Sequence, residues 1–253
     1  MKKIGLALGG GAVLGAAHIG VIRALEEMDV EISYVTGTSI GAFVGALYAF
    51  GYKSKDIEEI ALKLNWMDIS GLALFESGLL SNAKLGELLG ENLGEKKIED
   101  ADIPLAVIAT DIVNGDKVVL DNGPVAQAVM ASTCIPGVFG PIEFDGKLLV
   151  DGGIIENIPI DTVKNMGADY TIGVDLNAKK AYLKPESIID VIINSFHFIL
   201  KAAAKYQTED ADLLITPDLS KFNMVSTDQI KDLIEQGYKD AKEQLGKADF
   251  NAK

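Results

Sequence analysis

The sequence predicts an α/β fold, with a mostly parallel sheet covered by helices on both faces. Three observations lead there. Short apolar runs suited to strands alternate with segments of helical period along most of the chain, and that alternation builds parallel strands joined by crossover helices. Two glycine-rich turns, Gly9–Gly15 and Gly37–Gly41, each follow a strand and open a helix. The length of 253 residues, 48% of them apolar and 24% charged, suffices for one large domain with a substantial core. No repeat, linker or low-complexity tract interrupts it, so residues 1–253 are expected to form one domain.

Taken in order, Lys3–Leu8 reads as a short buried strand ending in glycine. Gly15–Met28 has helical period with Gly20 as its weak point. Glu31–Thr36 is a second strand, Gly37–Gly41 a tight turn, and Ala42–Phe50 a helix apolar on every side. Ser54–Leu64 is amphipathic, with Ser54 as the expected N-cap. Asn65–Ser81 is irregular and apolar, and Ala83–Leu93 a further helix. Leu105–Thr110 and Lys117–Leu120 flank the turn signal Asn114-Gly115. Val125–Ala131 is a short helix before a loop shaped by Pro136 and Pro141. Asp145-Gly146 joins two short strands, Glu143–Phe144 and Lys147–Val150. Ile158–Met166, Tyr170–Leu176, Glu186–Tyr206, Leu213–Thr216 and Thr227–Leu245 then continue as helix, strand, helix, strand and helix.

Charge and composition exclude several functions. Lys and Arg total 23 against 37 Asp and Glu, a formal charge of −14, which argues against a nucleic-acid partner and against stable attachment to anionic membranes. A lone cysteine, Cys134, makes no internal disulfide and reads as a small core residue. The N-terminal Lys2-Lys3 and the apolar residues after them imitate a signal peptide, but Gly9, Gly10, Gly11 and Gly15 would break its helix. A cytoplasmic protein is therefore expected. The scattered carboxylates show no metal-ligand spacing, so neither a metal nor a cofactor is expected.

The first glycine turn lacks the Lys-Ser/Thr of a phosphate loop. It also lacks the third glycine of a dinucleotide fingerprint, because position 14 is Leu14. What remains is a run of bare backbone N–H groups at a helix start, suited to negative charge. The second turn, Gly37-Thr38-Ser39-Ile40-Gly41, is a G-x-S-x-G sequence between strand and helix, which pushes the Ser39 hydroxyl outward. Ser39 is then either a nucleophile or the N-cap of the helix.

A nucleophilic serine needs a base. His197 shares a helical stripe with Asp190, Asn194, Lys201 and Lys205 and reads as a surface residue, although the order Ser39, Asp151, His197 matches that of a hydrolase triad. His18 reads as a core histidine satisfied by a hydrogen bond. Among the acids at strand ends, Asp111, Asp151 and Asp175, only Asp151 is followed by two glycines, Gly152 and Gly153, which leave its carboxylate open to a partner. Desolvation would raise its basicity.

This constellation resembles the bacterial patatin-like phospholipases in GLALGGGAVLGAAHIGVIRALEE (Gly5–Glu27), GTSIGA (Gly37–Ala42), ASTCIPGVFGPIEF (Ala131–Phe144) and LLVDGGIIENIP (Leu148–Pro159). The resemblance implies a three-layer α/β/α fold and a Ser–Asp dyad, with Ser39 as nucleophile, Asp151 as its partner and Gly9, Gly10 and Gly11 as the oxyanion loop. Many family members carry a basic residue where this chain has Leu14. The expected reaction is hydrolysis of a lipid or fatty-acyl ester through an acyl-serine, with the N–H of Ile40 as a further oxyanion donor and Gly37, Gly41, Gly152 and Gly153 supporting the two turns. A general carboxylesterase, or a lipid-binding protein without turnover, is the alternative. Asn157 is expected to steady the Asp151 turn. Trp66, Met67, Ile69, Leu72, Leu74 and Phe75 form either an entrance lip, in transient contact with lipid, or a satellite core. Oligomeric state is not legible.

Overall fold

The computed structural model of the protein describes residues 2–63, 82–179, 184–185, 188–224 and 226–250. The expected lip residues from Trp66 to Phe75 lie outside these. The strands are β1 (Ile4–Leu8), β2 (Ile32–Thr38), β3 (Leu105–Asp111), β4 (Asp116–Leu120), β5 (Ile142–Phe144), β6 (Lys147–Asp151), β7 (Tyr170–Val174) and β8 (Leu213–Ile215). They form one sheet in the order β5-β6-β3-β2-β1-β7-β8, with β4 paired to β3. From β3 to β8 the neighbours run parallel, while β4, β5 and β6 are antiparallel additions.

Side-chain alternation assigns the layers. Leu6 and Leu8 of β1 join the large core under helices α1 (Ala16–Glu27), α2 (Ile40–Ala49), α3 (Ser54–Ala61), α4 (Ala83–Leu93), α5 (Val125–Ser132) and α9 (Ile230–Leu245). Ala7, between them, faces the opposite core with Ile158, Ile160, Val163 and Ala204. There α6 (Gly153–Glu156), α7 (Ile160–Asn165) and α8 (Ile188–Gln207) cover the sheet. The three-layer α/β/α expectation is met. Gly20, the weak point of its helix, has a packing reason: a Cβ there would lie 2.0 Å from Ile234 O, and one on Gly237 2.2 Å from Ala17 O, so α1 and α9 cross backbone to backbone.

Boundaries differ where tertiary contacts intervene. The helix expected over Ile158–Met166 is α7, shortened to Ile160–Asn165, and the single-turn helix α6 precedes it across a bend at Asn157–Ile158. Ser54 does not cap α3 but begins it; its Oγ donates to Glu26 at 2.5 Å, and Asp56 accepts the Lys53 N–H instead.

One register positions the site. On the β3 edge opposite β4, Ile108 pairs with Thr38 of β2, and the next residue, Ala109, pairs with Asp151 of β6. Because β2 runs with β3 and β6 runs against it, the two strands end facing one another along that edge. Their chains then leave the sheet at Ser39 and Gly152.

Candidate active site

Ser39 occupies the corner between β2 and α2 with φ 55° and ψ −128°, a left-handed conformation that a non-glycine residue holds only when its surroundings impose it. Those surroundings are close. A Cβ on Gly41 would meet Leu8 O at 2.2 Å, and one on Gly37 would meet Gly41 O at 2.5 Å, so only glycine lets the turn pack against β1. The Ser39 N–H donates to Ser132 Oγ at 2.8 Å, and Ser132 passes the bond on to Ile108 O at 2.5 Å. The Ser39 hydroxyl is left to other partners, and the residue is 7% exposed.

Asp151 is fully buried at the end of β6. Gly153 N–H donates to its Oδ1 at 2.8 Å, while Oδ2 has no partner within hydrogen-bonding distance. Burial pushes the carboxyl up from its usual range to about 7, against the pull of the nearby Ser39 hydroxyl and of the Gly153 N–H. A carboxylate with an open oxygen, facing a serine and raised to neutrality, has the basicity a proton acceptor needs. Gly152 makes the approach possible, since a Cβ there would lie 2.2 Å from Ile108 O.

The glycine loop is held peptide by peptide. Gly9 N–H donates to Val174 O at 3.2 Å as a continuation of the sheet, and Gly10 N–H donates to Asn157 Oδ1 at 3.1 Å. Two of the four expected oxyanion donors, Gly9 and Gly10, are therefore engaged, which narrows the expected set. Among the described residues, no acceptor is recorded for the N–H groups of Gly11, Ala12 and Ile40. The loop lies against the elbow: a Cβ on Gly10 would come within 3.1 Å of Ser39 Cβ.

Beyond Ser39 an apolar cavity opens, encompassing about 740 Å³ including space open to solvent. Ile19, Phe43, Ile57, Leu85, Ile135 and Phe139 are among its walls. Among the described residues no group of three His, Cys, Asp or Glu side chains gathers to hold a metal ion. No helix there is long and apolar enough to cross a membrane.

The family model for patatin-like phospholipases matches residues 6–164, a span that holds the elbow, the glycine loop and Asp151. The chain belongs to the patatin-like phospholipase family. An uncharacterised NTE family protein of Mycobacterium bovis is 38% identical over 182 residues, covering 71% of this chain and 50% of the relative. Lysophospholipase NTE1 of Meyerozyma guilliermondii is 33% identical over 183 residues, 70% of this chain but 13% of that protein. The neuropathy target esterase of Drosophila melanogaster is 31% identical over 186 residues, again 70% and 13%. The chain thus spans half or less of these relatives. In fold it is similar to VipD of Legionella pneumophila (TM-score 0.57, 15% identity, 97% of this chain and 67% of that one). The effector ExoU of Pseudomonas aeruginosa is comparable, with TM-score 0.55 and 14% identity over 97% and 53%.

Several residues of this patatin-like chain sit elsewhere than their sequence context suggests. His197 is no surface residue: it is 1% exposed, and Nδ1 lies 3.1 Å from Asn177 Oδ1. The polar stripe of α8 misleads because Ile193, Phe196 and Leu200 face the Cys134–Phe139 loop, while Ile188, Val191 and Ile199 point outward. His18 is the expected core histidine; Nε2 donates to Gly9 O at 2.7 Å, and burial lowers its pKa to about 4, so the ring is neutral. Asn157 supports the glycine loop, not the Asp151 turn. Asp175 Oδ1 accepts the Asn177 N–H at 2.8 Å. Asp111 closes the β3–β4 turn through Val113 N–H and Asn114, bonds that hold its carboxyl below the usual range. Cys134 is buried, its thiol pushed up to about 12. Ser132 and Asn177 escaped sequence reading altogether; an isolated Ser or Asn carries no spacing that marks it.

Proposed function

We propose that the protein is a serine acyl hydrolase of lipid esters, acting as one catalytic domain through Ser39 and Asp151. The observation that supports this most is the pairing of a strained, buried serine with a fully buried carboxylate whose Oδ2 lacks a partner, at the mouth of an apolar cavity. The relatives named lysophospholipase and esterase favour the same chemistry.

In the proposed reaction, Ser39 Oγ attacks the ester carbonyl carbon and its proton passes to Asp151 Oδ2. The oxyanion forms within reach of the open N–H groups of Gly11 and Ile40, the latter at the N-terminus of α2, where the helix dipole adds to the stabilisation. Collapse expels the alcohol, which takes the proton from Asp151 and leaves the acyl group on Ser39. Water then attacks the acyl-serine, gives its proton to Asp151, and the fatty acid departs as Ser39 Oγ recovers it. The apolar cavity receives the acyl chain; about 0.8 kcal/mol per buried methylene favours long chains over short ones.

The test is hydrolysis of p-nitrophenyl esters and phospholipids by wild type, Ser39→Ala, Asp151→Asn and His197→Ala, with fluorophosphonate labelling of Ser39. Turnover and labelling by wild type, both lost in Ser39→Ala and Asp151→Asn, are expected. Full activity in Ser39→Ala ends the proposal, and stoichiometric labelling without turnover would point to the non-hydrolytic alternative.

A further inference from the structure

Two buried side chains far apart in sequence converge behind the glycine loop with no part in the reaction as written above. Asn177, fully buried, donates from Nδ2 to Gly10 O at 3.0 Å, and its Oδ1 faces His197 Nδ1 at 3.1 Å. This network has a single consistent polarity. Gly10 O only accepts, so it must face the amide NH₂; Oδ1 then only accepts, so His197 Nδ1 must carry a proton. The Asn177 N–H is in turn anchored on Asp175 Oδ1 at 2.8 Å, which fixes the backbone from which the amide projects.

The peptide that Asn177 grips is the one that matters. A trans peptide holds its C=O and N–H in one plane, pointing in opposite directions. Gripping Gly10 O therefore aims the Gly11 N–H, one of the loop donors left open. The preceding peptide is pinned at both ends, with Gly9 O on His18 Nε2 and Gly10 N–H on Asn157 Oδ1. Flanked by glycines, the Gly10–Gly11 peptide has few steric constraints of its own and would turn freely without the grip.

We infer that Asn177 and His197 are positioning residues that orient the Gly10–Gly11 peptide so that the Gly11 N–H meets the oxyanion formed at Ser39. The inference rests on the proposed acyl-hydrolase reading. A misdirected donor acts on the transition state and leaves ground-state binding in the cavity intact, so its signature is a lower kcat at constant KM.

The experiment measures kcat and KM on a p-nitrophenyl ester for wild type, Ser39→Ala, Asn177→Asp, His197→Phe and His197→Gln, with thermal melting of each. Asn177→Asp keeps the shape but lacks the NH₂; a fall in kcat of about 10²-fold, the loss typical of one oxyanion donor, is expected with KM within about twofold. His197→Phe lowers kcat by about tenfold, and His197→Gln, which keeps an N–H donor, restores most of it. If Asn177→Asp does not fold, the His197 pair decides alone. Wild-type kcat in a folded Asn177→Asp, or equal kcat in both His197 variants, overturns the inference while leaving the reaction in place. Absence of Ser39-dependent hydrolysis in wild type removes the reaction and the inference together.

Discussion

The two glycine turns stand side by side on adjacent parallel strands, each leading from a strand toward a helix, yet they are stabilised in different ways. The Ser39 elbow is enforced by close approach of main chain: Gly37 and Gly41 leave no space for a methyl group, and Ser132 Oγ accepts the Ser39 N–H. The glycine loop has fewer such contacts, a Cβ on Gly9 meeting Val174 O at 2.8 Å. Its positive φ falls on Ala12, a one-turn 3-10 segment (Ala12–Gly15) separates it from α1, and its peptides are held by His18, Asn157 and Asn177. One turn presents a side chain and is locked mainly by backbone; the other presents backbone and is locked mainly by side chains. A reacting group is thus secured in each case by atoms of the other kind, which leaves it free for substrate.

Substitutions can break this contrast. The largest effect is expected from Ser39→Ala, with a loss in kcat/KM of about 10⁴-fold or more and no loss of fold. Asp151→Asn should cost about 10³-fold or more in rate while making the protein more stable. A carboxyl at about 7 in the folded state, against its ordinary 3.8, opposes folding as pH rises through that interval. The opposition, on the order of 4 kcal/mol above pH 7, vanishes below pH 4. Melting of wild type and Asp151→Asn at pH 8 and pH 5 checks this; the gain must be greater at pH 8. For wild type, kcat/KM should rise about tenfold per pH unit below 7 and level off above, as a single ionised base requires.

A methyl group placed in each turn sharpens the comparison. Gly41→Ala would drive Cβ against the Leu8 carbonyl and should destabilise by about 3 kcal/mol or more in denaturant titration. Gly10→Ala would press on Asn157 Oδ1, a side-chain atom, and on Ser39 Cβ, so rate should suffer more than stability. His18→Phe removes the grip on Gly9 O and should lower kcat by about tenfold. It also removes a proton linkage. His18 is neutral in the fold at a pKa of about 4 and ordinary, 6.5, when unfolded, so its contribution is complete above pH 6.5 and lost as pH falls toward 4. The smallest effect belongs to a glycine outside both turns. Gly90 in α4 has nothing within 4 Å of an added Cβ, and Gly90→Ala should stabilise by about 0.5–1 kcal/mol.

Legibility followed distance along the chain. The elbow could be read because strand, turn and helix signals lie within ten residues, and Asp151 because two glycines mark it. The Gly9 and Gly10 donors could not be assigned properly, since their partners lie at Val174 and Asn157, on other elements. His197 was misplaced for a related reason. The polar stripe on its helix matches a solvated face, and only the packing of Phe196 and Leu200 against Cys134 and Phe139 turns it inward.

What the amino-acid order determined unaided is therefore local: the alternation of strands and helices, the glycines that permit sharp corners, and the identity of the residues at those corners. Tertiary structure decided which donors stay open, which histidine is buried, and how high the Asp151 carboxyl is raised. Periodicity and turn chemistry depend on neighbours a few residues apart, whereas desolvation and hydrogen-bond pairing depend on whatever the fold brings into contact. Here β2 and β6 end facing each other on one edge of β3, joining two residues 112 positions apart.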